Sequence, residues 1–245
     1  MRRLPRAAHP GQRDGDSTNG SRPTRTVVYL ATIMLTIARI HMTIARTHVG
    51  ARILASLALC LGVSALLAAA EADDIAEALH LQPGQVVADI GAGDGEIAEA
   101  LVEVVGEEGR VFATEIHQDL VDKLRSRFAD VPNATAVLGT DRTTGLPTNG
   151  CDALLLRLVY HHLVAPQEMI TEFRRVLRPR GRIAIIDMIP QTYLPDVRGV
   201  PDRGGHGVTP EDVIAEMVAA GFTLETRQDE WTGRSERFCL VFRML

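Results

Sequence analysis

From residue 73 onward the chain alternates short apolar runs with amphipathic stretches of about three helical turns, and no other feature restricts the fold as much. The apolar runs VVADIGA, RVFATEI, NATAVLGT, CDALLLRLV and RIAIIDMI predict strands. The intervening GEIAEALVEVV, HQDLVDKLRSRFA, PQEMITEFRRVL and TPEDVIAEMVAAG predict helices, and DDIAEALHLQPGQ predicts a short leading helix stopped by Pro83 and Gly84. Strands spaced by helices in this way imply an α/β sandwich with a mostly parallel sheet. The last two runs, FTLETRQDEW and RFCLVFRML, have only TGRSE between them, too short for a crossover, so they predict an antiparallel hairpin.

The first strand leads into Asp89, Ile90, Gly91, Ala92, Gly93, Asp94 and Gly95 and then a helix. Such a loop lets the backbone approach a ligand closely and present free amide hydrogens to it. A dinucleotide loop reads G-x-G-x-x-G, whereas here the spacing is G-x-G-x-G and position 96 is Glu. An acidic Asp94 in the turn would repel a phosphate, which favours a ligand without a pyrophosphate. Glu115 ends the second strand about twenty residues further on, where a carboxylate can accept hydrogen bonds from both ribose hydroxyls. That placement indicates an adenosine-containing ligand and is shared with NAD-binding folds.

Layout and loop together resemble the class I S-adenosylmethionine-dependent methyltransferases over residues 73 to 245. The region after the fifth strand and HGVTPEDVIAEMVAAGF are similar to the ubiquinone/menaquinone-biosynthesis type. The resemblance implies an α/β Rossmann-like sheet of seven strands in the order 3-2-1-4-5-7-6, the last strand antiparallel, with helices on both faces. It implies S-adenosyl-L-methionine as cofactor, held by Asp89, Gly91, Gly93, Gly95, Glu115 and Asp141. In that family's terms Asp141 meets the adenine amino group, and Asp89 orders the loop and the methionyl ammonium. The strand order puts another strand between Cys151 and Cys239, a separation of about 9.5 Å that no disulfide spans.

The implied activity is methyl transfer to a small-molecule acceptor by in-line displacement, where holding nucleophile and methyl collinear in a dry pocket supplies much of the rate. An oxygen or nitrogen acceptor can also need a proton removed, and histidine suits that near neutral pH. RLVYHHL places Tyr160, His161 and His162 at the carboxyl end of the fourth strand, facing the ligand crevice. His161 and His162 are the candidate general bases, with a structural role as the alternative. Asp187 ends the fifth strand at the same edge, and His206 lies in a long glycine-rich loop that can reach a substrate or simply be solvated. No C-x-x-C pair or H-E-x-x-H occurs, so no dedicated metal site is expected. Two other classes share the fold features: a non-catalytic S-adenosylmethionine-binding module and an NAD-dependent oxidoreductase, the latter disfavoured by the loop spacing and the hairpin.

Before residue 71 the only acidic residues are Asp14 and Asp16, while arginines recur, so the net charge of -5 conceals an asymmetry and almost all the acidity belongs to the later part. An acidic domain lacking a basic stripe argues against nucleic-acid binding. Residues 1–41 read as a disordered or mis-started extension. Residues 42–72 read as a signal peptide starting at Met42 and cleaved after Ala70 or Ala72, or as an N-terminal anchor, since 53–70 carries no charge and offers membrane association. Residues 73–245 form the methyltransferase domain in this division. The location expected from it is exported or anchored, with cytoplasmic as the alternative.

Overall fold

The computed structural model describes residues 49–195 and 198–245. The mis-started extension and the start at Met42 fall outside them. The elements are α1 (Val49–Leu79), β1 (Val86–Ile90), α2 (Glu96–Val105), β2 (Arg110–Glu115), α3 (Gln118–Arg127), β3 (Ala134–Leu138) and β4 (Cys151–Arg157). A single 3-10 turn, Tyr160–His162, follows, then α4 (Pro166–Val176), β5 (Leu177–Met188), α5 (Pro210–Ala219), β6 (Phe222–Gln228) and β7 (Arg237–Met244).

The strands form one sheet in the order β3-β2-β1-β4-β5-β7-β6. Pairings from β3 through β5 are parallel, whereas β7 runs antiparallel to both β5 and β6. Both the order and the closing hairpin agree with the reading of the sequence. The apolar runs are continuous because both faces of the sheet are covered. Leu154, Leu156, Ile183, Ile185, Phe238, Leu240 and Phe242 face one core, completed by Ile170 and Phe173 of α4 and Val213 and Met217 of α5. Their neighbours at the period of two, Ala153, Leu155, Ala184, Ile186, Cys239 and Val241, face the other, completed by α1 and α2. Cys151 and Cys239 are buried free thiols on β4 and β7, and burial pushes both up to about 12, so neither is a reactive thiolate.

Two element starts depart from expectation: β5 begins at Leu177, ahead of RIAIIDMI, and the leading helix begins earlier than residue 73. DDIAEALHL does not begin a new helix at residue 73 but continues α1, and Ala68, Ala72, Ile75 and Leu79 are buried against the second core. Glu71 is also tied in: Arg157 Nε and Nη2 donate to its two carboxylate oxygens at 2.8 Å each, and Trp231 Nε1 donates at 3.2 Å. Cleavage after Ala72 would remove this carboxylate from a half-buried arginine. Among the described residues no helix is long and apolar enough to cross a membrane.

Candidate functional site

Because β1 to β5 are parallel, their carboxyl ends share one edge, and the strand order reverses between β1 and β4. The crevice at such a reversal is where open α/β sheets bind ligands. Asp89, Glu115, Asp141, His161, His162 and Asp187 all emerge at or just beyond that edge.

The glycine loop leaves β1 with Gly91, Gly93 and Gly95 all at positive φ, at 71°, 57° and 80°. A Cβ at Gly91 would lie 2.5 Å from Val159 of the β4 turn, so a larger residue there would both strain the backbone and push two ligand-facing loops apart. A Cβ at Gly93 would meet nothing within 4 Å, because that side of the loop is open. Glu115 latches the loop: its Oε1 accepts from Gly93 N at 2.8 Å and its Oε2 from Ile116 N at 3.2 Å. The carboxylate is therefore fixed in orientation and still has lone pairs free.

Two cavities meet at Gly91. One, of about 570 Å³, is mainly apolar and is lined by Glu115, Ile116, Leu120, Asp141, Val159 and His162 among others. The second, of about 450 Å³, lies on the other side of the loop against Glu71, Asp94, Glu96 and Arg157. Asp141 sits at the exposed rim of the first, 4.0 Å from Arg142 Nε. Burial on its own would raise the Glu71 pKa, but the hydrogen bonds and charge of Arg157, with help from Trp231 and Arg237, outweigh it and hold Glu71 below the ordinary carboxylate range.

Asp89 is 3% exposed, and no described residue donates a hydrogen bond to its carboxyl. Burial pushes its pKa up to about 7; Arg157 opposes the rise while Glu115 and Glu71 add to it. The folded state therefore binds a proton more tightly than the unfolded chain, so stability falls as pH rises from about 4 to about 7 and is level above that. An Asp89→Asn chain is expected to lack this fall. Its stability relative to the parent should grow by about 4 kcal/mol between pH 4 and pH 7, on the order of the linkage energy, read by denaturant melts at each pH. Equal pH profiles for the two chains would refute it.

Past β4 the chain turns through Leu158 at φ 57°, a conformation that costs a branched or bulky residue roughly 1–3 kcal/mol and tends to mark functional turns. The 3-10 turn that follows divides the three candidates. Tyr160 is buried and donates its hydroxyl hydrogen to Glu216 Oε2 of α5 at 2.6 Å, so it serves packing rather than the crevice. His161 is 3% exposed and faces Asp187, which is wholly buried: Nδ1 lies 2.6 Å from Oδ1, and His161 N donates to Oδ2 at 3.1 Å. His162 is exposed and lines the larger cavity. Burial, then the neighbouring His161 and His206, lower the His162 pKa and so favour its neutral form.

His206 is not a free loop histidine. Its backbone bridges to Gln191 on both sides, its Nδ1 lies 2.8 Å from Pro195 O, and its Nε2 lies 3.2 Å from His161 Nε2. The loop is pinned by Arg203, whose Nη2 donates to Glu216 Oε1 at 2.8 Å. Gly207, at φ 137°, lets the backbone pass where a Cβ would come within 2.7 Å of Met188 O. Sequence spacing gave no sign that His206 reaches His161, 45 positions away; the glycines that allow it, Gly205 and Gly207, were the available signal.

These residues suit S-adenosylmethionine. An apolar cavity beside a fixed carboxylate can take adenosine and its ribose diol, an open glycine loop admits close backbone approach, and a buried carboxyl lacking a donor matches a cationic ligand. Residues 88–185 match the methyltransferase domain family. The chain is 32% identical over 146 residues to an uncharacterised methyltransferase of Mycobacterium tuberculosis, covering 60% of this chain and 57% of that protein. It is 30% identical over 109 residues to a ubiquinone/menaquinone biosynthesis C-methyltransferase of Paraburkholderia phymatum, covering 44% and 45%. The chain thus spans about half the length of the curated relatives it matches. A solved S-adenosylmethionine-dependent methyltransferase of Aquifex aeolicus superposes with a TM-score of 0.61 at 21% identity, over 71% of this chain and 90% of that one, which shows the shared fold. The glycine loop, the sheet order and these relatives agree: over residues 88–185 the chain matches a methyltransferase domain, and its fold is similar to that of S-adenosylmethionine-dependent methyltransferases.

Proposed function

We propose that the protein transfers a methyl group from S-adenosylmethionine to a small-molecule acceptor by in-line displacement. The observation that carries this reading is the Glu115-latched glycine loop with a cavity on each side of it. Bound S-adenosylmethionine supplies an activated methyl: the acceptor's lone pair bonds to its carbon as the carbon–sulfur bond breaks and that pair goes to sulfur. Glu115 and Asp141 would hold the adenosine, and Asp89 and the loop amides the methionyl end. Glu71, through Arg157, belongs to the working site, so the segment around residue 71 is part of the active protein in this reading.

The acceptor side is the histidine end of the larger cavity. His162, neutral at working pH, is placed on the cavity wall to take a proton from an oxygen or nitrogen acceptor. His161 does not reach that wall and acts as a positioning residue, fixed by Asp187 with its ring centroid 4.1 Å from that of His162. The pinned loop carrying Arg203 and His206 helps keep water out.

The test is turnover by the full chain with methyl-labelled cofactor and a panel of small acceptors. The relative in ubiquinone and menaquinone biosynthesis puts compounds of quinone biosynthesis first in that panel. Label transfer that disappears in Glu115→Ala supports the proposal. Cofactor binding without transfer to any acceptor would instead identify a non-catalytic binding module.

A further inference from the structure

We propose that His161, His162 and His206 form a binding site for one divalent transition-metal ion of the zinc type, with an open coordination position toward the acceptor. The three side chains offer ring nitrogens that lie within 4.8 Å of one another. The decisive detail is the pair of nitrogens 3.2 Å apart. Pro195 O can only accept, so His206 Nδ1 carries the hydrogen and, in the neutral ring, Nε2 presents a lone pair. Asp187 accepts from His161 Nδ1 in the same way, which leaves a lone pair on His161 Nε2 as well. Two nitrogens facing each other at 3.2 Å are joined either by one shared proton or by a metal ion between them. Two imidazoles bound to one tetrahedral zinc, with bonds of 2.0–2.1 Å, stand roughly 3.3–3.4 Å apart, so the observed spacing already fits.

The surroundings match those of a metal site. A ligating histidine commonly donates its other ring hydrogen to a carboxylate or a backbone carbonyl, and here Asp187 and Pro195 O take those parts. His161 is locked by a fully buried carboxylate, and His206 by its bridge to Gln191 and by the Arg203–Glu216 anchor. His162 is the exposed third ligand, with its ring nitrogen within 4.8 Å of the other two. Imidazole donors select zinc and its neighbours over magnesium or calcium. Three protein ligands leave the fourth position for water or substrate.

The site stands on the histidines alone, but its role rests on the methyltransferase reading. His162 lines the larger cavity, while His161 and His206 line an adjoining one of about 230 Å³, so the ion would lie where the two approach. An acceptor hydroxyl or thiol bound there loses its proton to solvent water because the ion stabilises the anion. In the loaded protein the ion thus replaces a free His162 as the group that activates the acceptor.

The experiment uses the full, tag-free chain, stripped with a chelator and titrated with Co²⁺ by visible absorption and with Zn²⁺ by calorimetry. One ion per chain with a tetrahedral Co²⁺ spectrum is expected. His206→Ala should weaken binding at least a hundredfold, and Asp187→Asn about 10–100-fold, the usual effect of losing such a partner. Circular dichroism reports folding of each variant, and His206→Ala, at a loop, keeps the test valid if Asp187→Asn does not fold. S-adenosylmethionine is titrated into the stripped chain in parallel. Absence of an ion at one per chain, or equal affinity in His206→Ala, overturns the site even where cofactor binding persists. Metal binding without any cofactor binding sustains the site and counts against the methyltransferase reading instead.

Discussion

Asp187→Ala is expected to lower the unfolding free energy by about 3–5 kcal/mol, the combined cost of leaving several buried donors without their acceptor at about 1–3 kcal/mol each. The carboxylate is wholly buried and accepts from His161 Nδ1, His161 N and Met188 N. Truncation leaves two backbone N–H groups and a ring N–H in the interior without an acceptor, and each such loss carries its own desolvation penalty. The same change frees the turn that sets His161 beside His162 and His206, so methyl transfer should fall even where the variant remains folded. Equilibrium denaturation compared with the parent measures the first effect. A loss below 1 kcal/mol would mean that the turn is held by its packing and not by this carboxylate.

Glu115→Ala is expected to weaken S-adenosylmethionine binding roughly tenfold to a hundredfold, from the loss of one or two hydrogen bonds to a charged acceptor. Two separate contributions combine there. The ribose diol would lose its acceptor, and Gly93 N would lose the latch that shapes the loop. Glu115→Gln keeps one oxygen and should fall between the two, which separates loop shape from ribose recognition. The measure is calorimetric affinity. Equal affinity in the parent and the alanine variant would show that the adenosine lies elsewhere.

Much of the architecture could be read from residue order, because a parallel sheet covered on both faces leaves continuous apolar runs and because TGRSE is too short for anything but a hairpin. The glycine loop and Glu115 were legible for a related reason. Positive-φ glycines at fixed spacing and a carboxylate ending the next strand are local features, and local features survive in sequence. The histidine cluster was not legible in this way. His161 and His162 are adjacent, but His206 joins them only through a loop whose path depends on Gly207, the Gln191 bridge and Arg203–Glu216, all contacts between distant positions. The expectation of no dedicated metal site weighed only short spacings, and these reveal only ligands that share one turn or helix. A composition pattern also concealed the role of α1: ILASLALCLGVSALLAAAEADD reads as an export or anchor segment, yet its later part buries Ala68 and Ala72 and pairs Glu71 with Arg157.

Calorimetric titration of the full chain with S-adenosylmethionine, S-adenosylhomocysteine and NAD tests most directly whether the Glu115-latched loop holds S-adenosylmethionine. The structure predicts saturable one-to-one binding of both sulfur compounds and none of NAD. Binding of NAD, or of neither sulfur compound, would contradict it.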